Sequence, residues 1–136
     1  MKLLMIFADS FEYTPTIKVL DYFEKQENGA KYEKHLVAFI HAEEEDMQDE
    51  KSVVVKLVKN LKWAAKKNGV MRVVLHSFAH LSESKATPEF TKSVFDLTEA
   101  KMKNAHYEVH QTPFGYFLDL NLKAPGYSMA RVFKSF

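Results

Sequence analysis

The apolar positions of the chain follow two periods. Lys2–Phe7 (KLLMIF) is apolar almost throughout, as expected of a strand buried on both faces, and Lys34–Ala42 (KHLVAFIHA) reads as a second central strand. Asp9-Ser10 breaks the first run. Tyr13-Thr14-Pro15-Thr16 beyond it favours extended chain, because proline restricts the residue before it. Ile17–Phe23 could be strand or short helix, and Gln26-Glu27-Asn28-Gly29 carries a turn signal. The period then becomes helical. Val54, Leu57, Val58, Leu61, Ala64 and Ala65 recur at i, i+3, i+4 spacing within Glu50–Asn68. Asp49 and Glu50 suit the positive end of that helix, Lys66-Lys67 its negative end, and Gly69 the residue past its close. Met71–Ser77 (MRVVLHS) is a third strand, and a helix between two strands predicts a crossover with parallel pairing.

After a loop at Phe78–Lys85, a second helix is expected with Thr87 as N-cap and Pro88 at its first position, carrying Phe90, Val94 and Leu97 and ending near Asn104. Tyr107–Thr112 and Tyr116–Lys123 read as two strands joined by a tight turn at Thr112-Pro113-Phe114-Gly115. Pro125-Gly126 is a further turn, and Ser128–Phe136 could form a short terminal helix. No repeat or linker interrupts the 136 residues, so the expectation is one α/β domain over 1–136.

Composition narrows the function. With 46% hydrophobic and 27% charged residues, the chain can bury a core and stay in solution. The absence of cysteine removes disulfides, thiolate metal sites and cysteine nucleophiles, and fits a reducing cytoplasm. No apolar run approaches the roughly 18 residues of a membrane span, and the N-terminus lacks the pattern of a signal peptide. A net charge of +1 means that any nucleic-acid contact must come from a local patch. The lysines of the Glu50–Asn68 helix are one such patch, although a lysine-rich face is usually just solvated. Glu43, Glu44, Glu45, Asp46, Asp49 and Glu50 read as a solvated acidic loop and helix entrance. Neither a P-loop nor GxGxxG is present.

Two stretches could carry chemistry: His76-Ser77-Phe78-Ala79-His80-Leu81-Ser82-Glu83 and Thr112-Pro113-Phe114-Gly115-Tyr116. Each lies between a strand and the next element, where open α/β sheets place ligands. Phe beside small and turn residues leaves main-chain groups free next to a flat apolar surface, which suits a base or ribose. His80 and Ser82 invite a hydrolase reading, but no G-x-S-x-G elbow accompanies them. His76 and His80 have zinc-like H-x3-H spacing on a strand-to-loop segment, where that spacing has no helical meaning. His106 and His110, like His35 and His41, are an even number of residues apart and read as half-exposed strand positions. No metal and no cofactor are expected.

Phe78-Ala79-His80-Leu81-Ser82 and Pro113-Phe114-Gly115-Tyr116 resemble the two signature segments of the N-terminal editing domain of archaeal threonyl-tRNA synthetases. Asp9, Glu12, Tyr13, Leu36–Ile40, Gly126 and Ala130 fall in matching order, so the resemblance covers nearly the whole chain. It implies a D-aminoacyl-tRNA deacylase-like α/β fold with a mixed sheet and two main helices. It further implies a homodimer and hydrolysis of the ester of Ser-tRNA(Thr), with threonine spared. The partners implied are the tRNA(Thr) acceptor end carrying serine and a synthetase catalytic body in cis or trans, with no membrane. The chemistry is expected to rest on main-chain contacts and on the substrate's own 2′-hydroxyl. By resemblance, His80 lies beside the reacting ester, while Ala38, Phe78, Ala79, Pro113, Phe114, Gly115, Tyr116 and Phe117 belong to the substrate pocket. The chain departs from the family's polar pattern at Phe7-Ala8, at Phe117-Leu118 (usually Tyr-Lys) and at Arg131 (usually Glu). Those departures keep open a non-catalytic module that binds the tRNA 3′ end.

Overall fold

The computed structural model describes residues 1–136. The elements run β1 (Lys2–Lys18), β2 (Ala30–His41), α1 (Glu50–Lys67), β3 (Arg72–Ser77), α2 (Pro88–Asn104), β4 (Glu108–Gln111), β5 (Tyr116–Lys123) and β6 (Arg131–Ser135). They form one mixed sheet in the order β4-β3-β2-β1-β5, with β6 also on β1. The crossover through α1 leaves β2 and β3 parallel, as expected, and α2 returns the chain to β4, parallel to β3. No helix is long and apolar enough to cross a membrane.

The helix boundaries follow local chemistry. Asp49 caps α1 by accepting from the Ser52 N–H at 3.1 Å, and Gly69 follows its end at φ +67°. Thr87 caps α2 by accepting from the Phe90 N–H at 3.2 Å, with Pro88 in the first turn. The buried stripe of α2 is Thr91, Val94, Phe95, Thr98 and Met102; Leu97, expected to face inward, is exposed.

β1 is longer than its apolar run suggests, and Asp9-Ser10 does not end it. Instead the strand changes face there. Leu3, Met5 and Phe7 join the core under the helices with Leu36, Ala38, Ile40, Val73 and Leu75. Ala8, Phe11 and Tyr13 join a second cluster on the other face with Val37, Phe39 and Val74. In a regular strand odd positions would stay on one face. The switch lies at Asp9, beside Lys34, whose φ of +58° is an uncommon conformation for a non-glycine residue. Lys34 Nζ donates to Asp9 Oδ1 at 3.0 Å across the switch. Farther on, a bulge between Pro15 and Ile17 accommodates a proline within the strand. Of Ile17–Phe23, only Ile17 and Lys18 are strand.

Three further expectations are overturned. β4 and β5 are not a hairpin: β4 pairs with β3, and β5 pairs with β1 on the far side of the sheet. The five steps from Gln111 to Tyr116 reach at most ~18 Å. Opposite edges of a flat five-strand sheet would lie roughly 19 Å apart, so the sheet must curl to bring β5 back towards β4. Ser128–Phe136 is not a helix but one 3-10 turn followed by β6, which pairs with Lys2–Ile6. The alternation of Val132 and Lys134 with the more exposed Arg131, Phe133 and Ser135 suits an edge strand. The acidic stretch is not wholly solvated: Glu44–Gln48 is a 3-10 turn, and Asp46 is buried, accepting from the Met1 amine at 3.1 Å and the Glu43 N–H at 2.7 Å.

The return of the chain from β1 to β2 leaves no room at Gly29, where a Cβ would stand 2.3 Å from the Tyr13 carbonyl oxygen, whereas one at Gly126 would meet nothing within 4 Å. Gly29→Ala is therefore expected to lower unfolding free energy by about 1–3 kcal/mol, and Gly126→Ala to change it little. Urea unfolding of both variants checks this; equal midpoints would contradict the packing described.

Candidate functional site

β3 ends at Ser77, and the chain leaves the sheet through Phe78-Ala79-His80. On the other side Pro113-Phe114-Gly115 leads into β5. These segments face each other across a cavity of about 530 Å³. Phe78, Ala79, His80, Pro113, Phe114, Gly115, Tyr116 and Phe117 all line it. Ala38 does not: it is fully buried in the core beneath the helices, and its strand neighbours Ile40 and His41 reach the cavity instead.

The loop after β3 is fastened to the end of β2. The Phe78 N–H donates to the Ile40 carbonyl at 3.0 Å, and the Ala86 N–H to that of Ala42 at 3.0 Å. Between them His41, 1% exposed, uses both ring nitrogens: Nε2–H donates to the Ser84 carbonyl at 2.7 Å, and Nδ1 accepts from the Leu81 N–H at 3.0 Å. Only the neutral ring can do both. His41 is thus a loop fastener rather than a half-exposed strand position, and sequence reading missed it as part of the site. Its one signal is a histidine at the end of an apolar run buried on both faces.

Gly115 shapes the other wall. Its φ of +83° suits glycine, and its carbonyl accepts from the Val19 N–H at 2.7 Å and the Leu20 N–H at 3.2 Å. A Cβ there would meet Leu20 Cβ at 2.9 Å. Val19 and Leu20 thereby become lining residues, which no local pattern announces. Phe114 packs edge-on to Phe23 with ring centres 4.7 Å apart.

No aspartate or glutamate lines the cavity; its ionisable side chains are His41, His76, His80, Lys85 and Tyr116. Burial holds His76 down to about 4, so its ring is neutral at pH 7, with Nδ1 2.9 Å from Thr112 Oγ1 and the ring edge-on to Phe39. His80 is exposed and lies edge-on to Phe78, 4.9 Å between centres. Ser82 is not poised as a nucleophile beside it: its hydroxyl donates to Glu43 Oε2 at 2.6 Å. That bond, aided by the Met1 ammonium and opposed by partial burial, brings the Glu43 carboxyl down to about 2. Lys85 also escaped the sequence reading, being a loop lysine with no pattern to mark it.

Of the departures from the family pattern, only Phe117 and Leu118 border the cavity. Phe7 and Ala8 are buried in the cores, and Arg131 donates to the Pro125 carbonyl. The histidine pairs also resolve differently from expectation. His106, at φ +70°, lies in the turn after α2 and not on a strand. His35 is buried and meets Glu108 and His110 instead.

A histidine neutral in the folded state but titrating near 6.5 when unfolded favours folding above 6.5, and that contribution is lost as pH falls towards 4. The span corresponds to roughly 3 kcal/mol. His76→Gln is expected to flatten the fall in stability between pH 6.5 and 4, measured by urea unfolding across that range; an unchanged slope would contradict a neutral buried ring.

Comparison with known proteins agrees with this architecture. The model of the archaea-specific editing domain of threonyl-tRNA synthetase matches residues 1–136. A threonine–tRNA ligase of Thermococcus gammatolerans is 31% identical over 135 residues, covering 97% of this chain and 22% of the relative. One of Nitrosopumilus maritimus is 31% identical over 132 residues, covering 96% and 20%. The chain thus spans about a fifth of the length of these relatives. Among solved structures, the c-Myc DNA unwinding element binding protein superposes with a TM-score of 0.69 at 10% identity, covering 100% of this chain and 99% of its own, a likeness of fold alone. The fold is the D-aminoacyl-tRNA deacylase-like mixed α/β arrangement, and the chain belongs to the archaea-specific editing domains of threonyl-tRNA synthetase.

Proposed function

We propose that the cavity receives the aminoacylated 3′ end of tRNA(Thr) and hydrolyses a seryl ester there, as a proofreading step of translation in the cytoplasm. The observation that carries this reading is the meeting of Phe78–His80 with Pro113–Phe117 on one cavity that has no carboxylate. A hydrolytic site without a carboxylate base must activate water by other means. The imidazole of His80 and the ribose 2′-hydroxyl beside the ester are the available groups. The Ala79 N–H makes no hydrogen bond within the protein, while the N–H groups of Phe78 and His80 on either side are bonded, so Ala79 offers the ester carbonyl a donor. Phe78 and Phe114 offer apolar surface to the terminal adenosine.

Serine needs such a second site because a pocket for threonine gains only about 1–3 kcal/mol from one methyl group. A site that is too small for threonine sorts by exclusion instead. Lys85 supplies a cation at the cavity, where Leu118 supplies none. Leu118 is also the observation behind the second reading, a module that binds the tRNA 3′ end without turnover: leucine can neither donate a hydrogen bond nor offset charge.

Deacylation of Ser-tRNA(Thr) and Thr-tRNA(Thr), followed in parallel, separates the readings. Loss of serine with threonine retained is expected, and it should be blocked by Ala79→Phe. Full activity in that variant would refute the pocket, and retention of both esters by the unaltered chain would favour the binding module. His80→Ala should slow serine release about tenfold. The loss should stay below the roughly 10²–10⁴-fold of a fully positioned general base, because no side chain hydrogen-bonds to the ring.

A homodimer is part of the same reading. β5 pairs only with β1, and along it Phe117 and Leu120 are 56% and 41% exposed. A second copy covering this edge would remove both from water. Light scattering should give twice the chain mass, and Leu120→Glu should reduce it; a monomeric unaltered chain would sink this part.

A further inference from the structure

At the amino ends of the parallel strands, away from the cavity, three side chains converge that the proposed chemistry does not use. Glu108 Oε2 lies 3.0 Å from His35 Nε2 and 3.0 Å from His110 Nε2. All three ligand atoms stand within 4.8 Å of one another. His35 comes from β2, and Glu108 and His110 come from β4, with β3 between them. We propose that His35, Glu108 and His110 form a binding site for a divalent transition-metal ion of the zinc class, clasping β2 to β4 across β3.

The orientation of His35 carries the argument. Its Nδ1 is 2.9 Å from the Glu33 carbonyl oxygen, which can only accept, so Nδ1 holds a hydrogen. In the neutral ring Nε2 then presents a lone pair towards a carboxylate oxygen, which also only accepts. Two acceptors at this distance need a cation between or upon them, either a second proton on the ring or a metal ion. A carbonyl on the far nitrogen is also the arrangement that readies a metal-bound histidine. His35 is buried, so its direction is fixed by packing. His110 is held differently: Tyr32 stacks on it at 4.3 Å and 16°, and the same ring lies against His35 at 5.1 Å.

Zinc takes histidine nitrogen at about 2.0–2.1 Å and carboxylate oxygen at about 2.0–2.2 Å. Its tetrahedral ligand atoms therefore stand roughly 3.3–3.5 Å apart; Glu108 Oε2 is 3.0 Å from each nitrogen and all three atoms lie within 4.8 Å, so shifts of the Glu108 and His110 side chains, the two on the exposed side, admit the ion. Glu108 is 54% exposed and His110 34%, which leaves a path for entry and a fourth position for water. The nearby positive charges are turned elsewhere. Arg72, opposite Glu108 on β3, donates its Nε–H to the Lys34 carbonyl, and Lys34 pairs with Asp9.

The site is separate from the cavity, which opens at the other end of β3, so a failure of the hydrolytic reading leaves it untouched. The test is calorimetric titration of the untagged chain with zinc chloride after treatment with chelator. One saturating equivalent is expected, together with a rise in melting temperature. Glu108→Gln and His110→Ala, chosen on the exposed side so that the fold survives, should each weaken binding by more than the roughly 10–100-fold typical of removing a mere outer partner. X-ray absorption of the loaded chain should show nitrogen and oxygen ligands only. Failure of the folded, unaltered chain to take up zinc would overturn the proposal. So would uptake that persists undiminished in a Glu108→Gln/His110→Ala double variant shown to be folded by circular dichroism.

Discussion

Everything in this fold depends on β1 being paired along both edges. One edge is bonded to β2 from Lys2 to Tyr13; the other is shared by β6 over Lys2–Ile6 and by β5 over Ser10–Lys18. A strand that serves three partners must satisfy two local geometries in one length of chain. The change of face at Asp9, with Lys34 at positive φ beside it, is how it does so. Before the switch its large residues feed the core under α1 and α2; after it they feed the second cluster. Without the switch Phe11 and Tyr13 would point under the helices, and the second face would lose the aromatic rings that pack there. The Lys34–Asp9 bond at this point is exposed, and ion pairs of that kind contribute little. What enforces the switch is burial of aromatic surface on both sides of it.

The cavity is a product of that curl. A flat sheet would leave the loop after β3 and the entry to β5 on opposite margins. Curling brings Phe78–His80 and Pro113–Phe117 to face each other over the end of β2, and the Gly115 carbonyl then anchors Val19 and Leu20 as a further wall. The loop that bears the lining is fixed by hydrogen bonds to its main-chain groups at several points, as the His41 ring shows by holding both the Leu81 N–H and the Ser84 carbonyl. Under the proposed function this suits the reading of an ester and a ribose through backbone groups, since the direction of a backbone donor is set by the fold.

How much of this was legible depended on the range of the deciding interaction. Both helices, their caps and the parallel β2–β3 crossover rest on spacing within a turn or two, and Asp49, Thr87, Pro88 and Gly69 announce them locally. The partner of a strand is not local. Residues around Thr112–Gly115 look like a hairpin turn because a proline and a glycine sit between two alternating segments, yet whether those segments pair depends on the length and curl of β1, a hundred residues away. The C-terminal segment failed for the same reason: Arg131–Ser135 has a strand pattern, and only the free edge of Lys2–Ile6 decides that it is used. Of the cavity lining, the stretches on two contiguous motifs were legible, whereas Ala38 lies outside it, because Ala38 shares its face with Ile40 and only the place where β2 ends decides which of the two reaches the cavity.

The departures from the family pattern take on a different weight once they are placed. Phe7 and Ala8 are buried in the two cores, on either side of the strand that switches, where polar groups would need partners. Arg131 is occupied with the Pro125 carbonyl. Neither change alters the cavity lining. Leu118 does, and it makes one wall more apolar while Lys85 enters from the fastened loop. A cation on a loop and a cation on a strand are not equivalent: the first can move with the loop, and the second is held by the sheet. In this chain the bonds of His41 to Leu81 and Ser84 therefore matter beyond stability, because they hold the loop from which Lys85 reaches the cavity.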